Sequence, residues 1–204
     1  ISCDAQVAKS RLAVRPPAFA ATAALSPVVV GSAVAVAEGG FDLLVGIAAI
    51  AVALLLQIGA NFANDVADFR SGADTEHRVG PTRVTQSGLL SPRQVEVATA
   101  ITLALAAIPG AFLVWRGGWI FAVVGLLAIG AAVAYTAGPA YGYVGLGDIA
   151  VFLFFGPVAV AGTAYLMTHQ LTALSLLSSI PMGCLITAIL VVNNLRDIET
   201  DREA

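Results

Sequence analysis

The residues of this sequence that could do chemistry include a cluster of amide and carboxylate side chains. Asn61, Asn64, Asp65 and Asp68 are spaced i, i+3, i+4 and i+7. On a helix this spacing places all four side chains on one face. The sequence therefore predicts a polar stripe along one helix.

A second cluster of the same composition lies near the other end of the chain. Asn193, Asp197 and Asp201 are spaced i, i+4 and i+8, and Asn194 precedes Asp197 by three residues. This spacing predicts a second stripe on a helix face. The chain thus carries two acidic stripes, and each directly follows a strongly apolar run.

Neighbouring carboxylates repel each other, so stripes of this kind are usually balanced by cations. Mg²⁺ prefers one or two carboxylates together with water and phosphate oxygens. Two facing stripes could hold two such ions across a diphosphate and neutralise the charge that develops as an allylic C–O bond ionises. We therefore expect Asp65, Asp68, Asp197 and Asp201 to be catalytic.

Arginines are interleaved with these acids and could bind the same phosphate oxygens. They are Arg70, Arg78, Arg83, Arg196 and Arg202. The alternative is that the charges of each segment are ordinary solvated loop charges. The presence of two matching segments argues against this alternative more strongly than either segment does alone.

The composition indicates a membrane protein. Apolar residues make up 58% of the 204 residues and charged residues only 11%, with a mean hydropathy of +0.89. Soluble domains average about 45–50% apolar and 25% charged residues, so a water-soluble fold is excluded. The net charge of -3 and the absence of a basic cluster argue against nucleic acid as a partner.

Apolar runs of membrane-spanning length recur along the whole sequence. The predicted spans are 16–37, 41–63, 95–115, 119–135, 149–168 and 174–195. We therefore predict an all-α fold, a polytopic transmembrane helical bundle of six helices, with residues 1–204 forming a single transmembrane domain in contact with the lipid bilayer.

The connections between these spans alternate between short and long, so the long ones share one side of the membrane. Nine of the ten Lys and Arg residues fall on that side, and only Arg116 falls opposite. The positive-inside rule places the N-terminus and both acidic stripes in the cytoplasm, as expected for a multi-pass protein of the cell (inner) membrane. Trp115 and Trp119, beside Arg116, are placed where interfacial aromatic anchors belong.

The connection 136–148 contains Tyr143 among several glycines. Tyr143 could cover a cavity and stack on an aromatic acceptor or stabilise a cation. Tyrosine is equally common at membrane interfaces for packing reasons, and both interpretations stay open.

The two acidic segments, NDVADFRSGAD (64–74) and NNLRDIETD (193–201), resemble the first and second aspartate motifs of the UbiA-type intramembrane prenyltransferase superfamily. DTEHRVGPTRVTQSGLLSP (74–92) and AYTAGPAYGYVGLGD (134–148) are similar to the 1,4-dihydroxy-2-naphthoate polyprenyltransferase branch. The resemblance runs through nearly the whole chain. Asp148 departs from it, because the branch commonly carries Glu at this position.

The resemblance implies a central cavity in a bundle of nine helices, of which the chain would carry six, leaving it incomplete at its C-terminal end. It implies Mg²⁺ as the cofactor, and polyprenyl diphosphate and dihydroxynaphthoate as substrates, with loss of carbon dioxide. The implied metal ligands are Asn64, Asp65, Asp68, Asp197 and Asp201. The implied substrate-binding neighbours are Asn193, Asn194, Arg196 and Arg15, the last in an Arg-Pro pair that opens the first helix. With the residues singled out above, the predicted substrate-binding set is Arg15, Asn61, Asn64, Arg70, Arg78, Arg83, Tyr143, Asn193, Asn194 and Arg196.

Two alternatives remain at this point. A prenyltransferase could act on another acceptor, such as 4-hydroxybenzoate. A cation-coupled transporter is the alternative from a different class, because acids within membranes also mark ion pathways. Transporters tend to place such sites near the midplane on broken helices, whereas these acids follow the ends of the apolar runs.

Overall fold

The computed structural model describes residues 17–71, 83–135, 142 and 145–201, without the side chains of residues 17–19 and 196–201. Six helices follow one another in this described part of the chain. They are α1 (Pro17–Ala37), α2 (Leu43–Ser71), α3 (Pro92–Gly117), α4 (Trp119–Ala134), α5 (Leu146–Thr168) and α6 (Ala173–Asp201).

The helices confirm the predicted all-α polytopic bundle. Five of them are long and apolar enough to cross a membrane, and α4 is a shorter apolar helix of 16 residues. The described part of the chain contains no strand. The indole side chains of Trp115 and Trp119 are 75% and 74% exposed, as expected for anchors at a membrane interface.

The helices that extend beyond the predicted apolar spans are α2, α3, α5, which begins at Leu146, and α6. Helix α2 continues to Ser71 and α6 to Asp201, because polar residues at helical spacing prolong a helix once it leaves the apolar layer. Helix α3 begins at Pro92, where Ser91 and Gln94 form a reciprocal capping box and proline occupies the first turn. Apolar runs predict the membrane-spanning part of a helix, whereas capping residues determine where the helix begins.

Helix α5 contains a π-helical segment, Phe154–Ala161, between two α-helical segments. Pro157 lies inside it. Proline has no N–H and its ring clashes with the carbonyl one turn earlier, and the wider π turn accommodates both effects. The π segment packs against α1 and α6.

Glycines allow close approach of the helices at three crossings. A Cβ atom on Gly31 of α1 would lie 2.5 Å from the Val160 carbonyl oxygen of α5, and one on Gly156 of α5 would lie 3.1 Å from the Gly183 Cα of α6. On α2, a Cβ atom at Gly59 would lie 2.7 Å from the Leu103 side chain of α3. Small residues at such contacts are typical of helix packing in lipid.

The connections α1–α2, α3–α4 and α5–α6 meet at one end of the bundle, here named the short-loop end. Arg116 donates to the Asp42 carboxylate at 3.1 Å, and the Thr172 hydroxyl donates to Glu38. Nearby, a buried cluster joins α1, α2, α3 and α5. Its members are Val28, Ala35, Val45, Ala48, Ala49, Leu113, Leu166 and Met167. The opposite end, where α2 and α6 terminate, is named the motif end.

Candidate functional site

The continuation of α2 past the apolar layer carries the first acidic stripe to the motif end. Asp65 and Asp68 are both buried, with 5% and 7% of their surface exposed. They are one turn apart on the same helix face, as predicted. Burial of two adjacent carboxylates is costly unless polar groups or cations compensate them, so their partners define the site.

The Asp65 carboxylate binds the backbone of the connection between α2 and α3. The Val84 amide donates to Oδ2 at 2.9 Å, and the Thr85 amide donates to Oδ1 at 3.2 Å. Both oxygens of Asp65 therefore accept a backbone hydrogen bond. Asp65 holds this loop against the helix.

The Asp68 carboxylate pairs with Arg83, the residue directly before those two amides. The guanidinium donates to Oδ2 at 2.6 Å, and both side chains are largely buried. The pair brings the predicted phosphate-binding Arg83 to the predicted metal-binding Asp68. Asp65, beside this ion pair, accepts hydrogen bonds from uncharged backbone amides.

Residues 83–91, named the site loop, form a tight turn over the carboxylates. The Ser87 amide donates to the Arg83 carbonyl and the Gly88 amide to the Thr85 carbonyl, each at 3.1 Å. The Leu90 amide donates to the Val84 carbonyl at 3.2 Å. These bonds and the two to Asp65 fix the position of the backbone.

Val84 and Thr85 bind Asp65 through their backbone amides, and the sequence did not indicate these contacts. Backbone amides carry no side-chain signal, so no motif could have identified Val84 as a partner of Asp65. Thr85 is only 4% exposed and lies two residues after Arg83. A polar residue beside a predicted phosphate-binding arginine is the only signal that was present.

The first stripe has the ligand chemistry that Mg²⁺ requires. Carboxylate and amide oxygens are hard donors, and each carboxylate oxygen has two acceptor positions. The two backbone bonds of Asp65 therefore leave capacity for a cation. Among the side chains that the structure describes, no three Asp, Glu, His or Cys side chains come together as a metal site, so a full set of ligands requires more than Asp65 and Asp68.

The remaining residues predicted on α2 have different surroundings. Asn64 is half-buried beside Asp65, whereas Asn61 is exposed and accepts a hydrogen bond from Gln57 at 3.4 Å. Arg70 forms an exposed ion pair with Glu96 of α3 at 2.5 Å. Its position, five residues after Asp65, turns it away from the acidic stripe.

The second stripe lies at the end of α6. The backbone is helical through Asp201, so the spacing of Asn193, Asp197 and Asp201 keeps these positions on one helix face. Asn193 and Asn194 are exposed. Helix α1 packs against both α2 and α6.

Several predicted residues lie outside the described residues or have side chains outside them. Arg15, Arg78 and Tyr143 fall in the first group. Arg196, Asp197 and Asp201 fall in the second. Their predicted roles stay predictions.

These features define a multi-pass α-helical membrane protein with a buried acidic site at one end of its bundle. The chain belongs to the UbiA prenyltransferase family, whose model matches residues 24–204.

Relatives of known name are similar over most of the chain. Proteins named 1,4-dihydroxy-2-naphthoate octaprenyltransferase from Escherichia coli and Mycobacterium tuberculosis are 42% and 43% identical over 92% and 89% of this chain. UbiA prenyltransferase domain-containing protein 1 from Danio rerio is 33% identical over 95% of it. The alignments cover 61%, 62% and 57% of those relatives, so the chain spans about three fifths of their length.

Proposed function

We propose that the protein transfers a polyprenyl group from polyprenyl diphosphate to 1,4-dihydroxy-2-naphthoate, releasing diphosphate and carbon dioxide and giving demethylmenaquinone in its reduced, hydroquinone form. The observation that carries this proposal is the buried pair Asp65 and Asp68 with Arg83 at the motif end. The names of the bacterial relatives support the naphthoate as the acceptor.

The residues proposed to hold Mg²⁺ are Asn64, Asp65 and Asp68 of α2 with Asp197 and Asp201 of α6. When bound, Mg²⁺ neutralises the negative charge that develops on the diphosphate. Asp65 has a second task, because its backbone bonds position the site loop that carries Arg83.

Arginines are proposed to bind the leaving group. Arg83 lies beside Asp68 and can donate several hydrogen bonds to phosphate oxygens. Arg78, Arg196 and Arg15 are proposed as further donors, with Asn193, Asn194 and Asn61 as neutral contacts. Arg70, paired with Glu96, would have to exchange that partner for phosphate.

The bond changes balance without any further reactant. The allylic C–O bond breaks and both electrons leave with the diphosphate. The carboxylate-bearing carbon of the naphthoate ring forms the new C–C bond, and the electrons of the bond to the carboxylate restore the aromatic ring as carbon dioxide leaves. Tyr143 is proposed to stabilise the cationic prenyl carbon through its ring face.

The proposed location is the inner membrane, with the N-terminus and the motif end on the cytoplasmic side. The distribution of Lys and Arg supports this orientation. Arg116, the exception, lies at the short-loop end and is paired with Asp42.

Prenyl transfer in membranes tests the proposal directly. Membranes containing the full-length protein receive labelled polyprenyl diphosphate and either the naphthoate or 4-hydroxybenzoate, with and without Mg²⁺. We expect Mg²⁺-dependent product from the naphthoate alone. Product from 4-hydroxybenzoate alone would replace the acceptor, and no product from either, together with substrate-driven ion flux in proteoliposomes, would replace the enzyme by a transporter.

A further inference from the structure

Thr85 is buried at the centre of the proposed site with a hydroxyl group that lacks a partner. Only 4% of the residue is exposed, and its Oγ1 atom has no hydrogen bond to any described group. Buried polar groups are almost always paired. An unpaired hydroxyl in a site for a polar ligand is best explained by a bond to that ligand.

The backbone of Thr85 is held by hydrogen bonds of both its amide and its carbonyl group. Its amide donates to Asp65 at 3.2 Å, and its carbonyl accepts from Gly88 at 3.1 Å. The backbone of Thr85 therefore lies next to the Asp65 carboxylate, and Thr85 follows Arg83 by two residues. It is held there by backbone bonds that do not involve its side chain.

The charges beside Thr85 point to the chemistry of the ligand. Asp65 binds uncharged amides and can accept a cation, and Arg83 has N–H groups beyond the one that binds Asp68 and can donate them to an anion, so a metal-bound diphosphate suits both. A hydroxyl is a good donor to phosphate oxygens, and hydrogen bonds to charged acceptors are the strong ones. Thr85 is not among the residues that the acidic motifs and the neighbouring arginines indicated.

We propose that the Thr85 hydroxyl donates a hydrogen bond to an oxygen of the bound diphosphate. This makes Thr85 a substrate-binding residue of the site loop, positioned by Asp65 and acting alongside Arg83. The inference rests on the proposed function and adds a residue to its diphosphate site.

Binding of inorganic diphosphate tests this role without measuring activity. The full-length protein in detergent is titrated with inorganic diphosphate at saturating Mg²⁺, and binding is followed by calorimetry. Thr85→Val removes the hydroxyl but keeps the shape of the side chain. We expect it to weaken binding by about tenfold, the effect of losing one hydrogen bond to a charged acceptor.

Two further variants separate binding from packing. Thr85→Ser keeps the hydroxyl and is expected to bind diphosphate within about twofold of the unchanged protein. Thr187 of α6 also has a buried hydroxyl without a partner among the described groups, and it lies in the membrane-spanning part of the helix. Thr187→Val is therefore the matched control and should leave diphosphate binding unchanged.

The outcomes against the proposal are distinct. Unchanged diphosphate affinity in Thr85→Val, with or without a lower unfolding temperature, would show a structural role only. Equal weakening by Thr85→Val for Mg²⁺ alone would assign the hydroxyl to the metal instead of the diphosphate. If the unchanged protein binds no diphosphate and transfers no prenyl group, the proposed function fails and this inference fails with it.

Discussion

Both ends of the bundle use an aspartate to bind two backbone amides, and both place an arginine nearby. At the short-loop end, Asp42 accepts from the Leu44 and Val45 amides at the start of α2 and also pairs with Arg116. At the motif end, Asp65 accepts from two site-loop amides while Asp68 pairs with Arg83. At the short-loop end one carboxylate binds both the amides and the arginine, whereas at the motif end these two contacts are made by two different carboxylates.

The difference lies in charge balance and burial. At the short-loop end a single carboxylate meets a single guanidinium, and both side chains stay about a third exposed. At the motif end two carboxylates are almost fully buried beside one described guanidinium. At the short-loop end the carboxylate is paired with the guanidinium, whereas at the motif end Asp65 binds uncharged amides and has acceptor capacity for a cationic ligand.

The largest expected effect comes from removing one carboxylate at each end. We expect Asp65→Ala to lower prenyl transfer by about 100-fold or more, since it removes a proposed metal ligand and the anchor of the site loop. Asp42→Ala should retain transfer. The measurement is product formed per amount of membrane-inserted protein. Full activity of Asp65→Ala would refute the site, and an equal loss in Asp42→Ala would show that the site is not confined to the motif end.

The next comparison replaces a glycine by alanine at each end of the bundle, in both cases a glycine with positive φ. Gly118, between α3 and α4, has φ 86° and ψ -179°, a conformation essentially restricted to glycine, so Gly118→Ala should destabilise the fold by about 1–3 kcal/mol. Gly88 of the site loop has φ 71°, and Gly88→Ala should cost about 1–2 kcal/mol. In both positions a Cβ atom would meet nothing within 4 Å, so the effect is purely conformational.

Ligand binding distinguishes these two glycine variants. Gly88→Ala should also weaken the binding of inorganic diphosphate, because Gly88 donates to the Thr85 carbonyl. Gly118→Ala should not. Thermal unfolding in detergent and calorimetric titration provide the two measurements. Equal diphosphate affinity in both variants would show that the site loop does not contribute to diphosphate binding.

The smallest expected effect concerns the ion pair at the short-loop end. Arg116→Gln should lower stability by about 1 kcal/mol, because the pair is partly exposed. Asp42→Asn should do the same while keeping an acceptor for the α2 amides. A double-mutant cycle in thermal unfolding should give a coupling energy of similar size. Loss of prenyl transfer in either variant would contradict the separation of the two ends.

The sequence predicts much of the fold because bilayer thickness constrains helix length. The apolar runs located all six helices, and the spacing of Asn64, Asp65 and Asp68 correctly indicated that α2 continues beyond its apolar part. The starts and ends of the helices were less accurate. The start of α3 depends on the Ser91 and Gln94 cap, which hydropathy does not detect.

The partners of the acidic residues could not be predicted in the same way. Asp65 binds amides 19 and 20 residues away, and only the path of the chain brings them together. Arg70 and Arg83 are both basic residues near the first stripe, but helix geometry directs Arg70 to Glu96 and the site loop directs Arg83 to Asp68. Residue type did not distinguish the two arginines, and the fold gives them different partners.

The contacts at the short-loop end also have a mechanical consequence. Asp42 with Arg116 and Glu38 with Thr172 fasten three turns together, which makes that end a pivot. Helices α2 and α6 each have 29 residues, a length of roughly 40 Å. A tilt of about 5° at the pivot displaces the far end of such a helix by roughly 3.5 Å. The motif-end termini of α2 and α6 can therefore shift by this distance while every bond at the pivot stays intact.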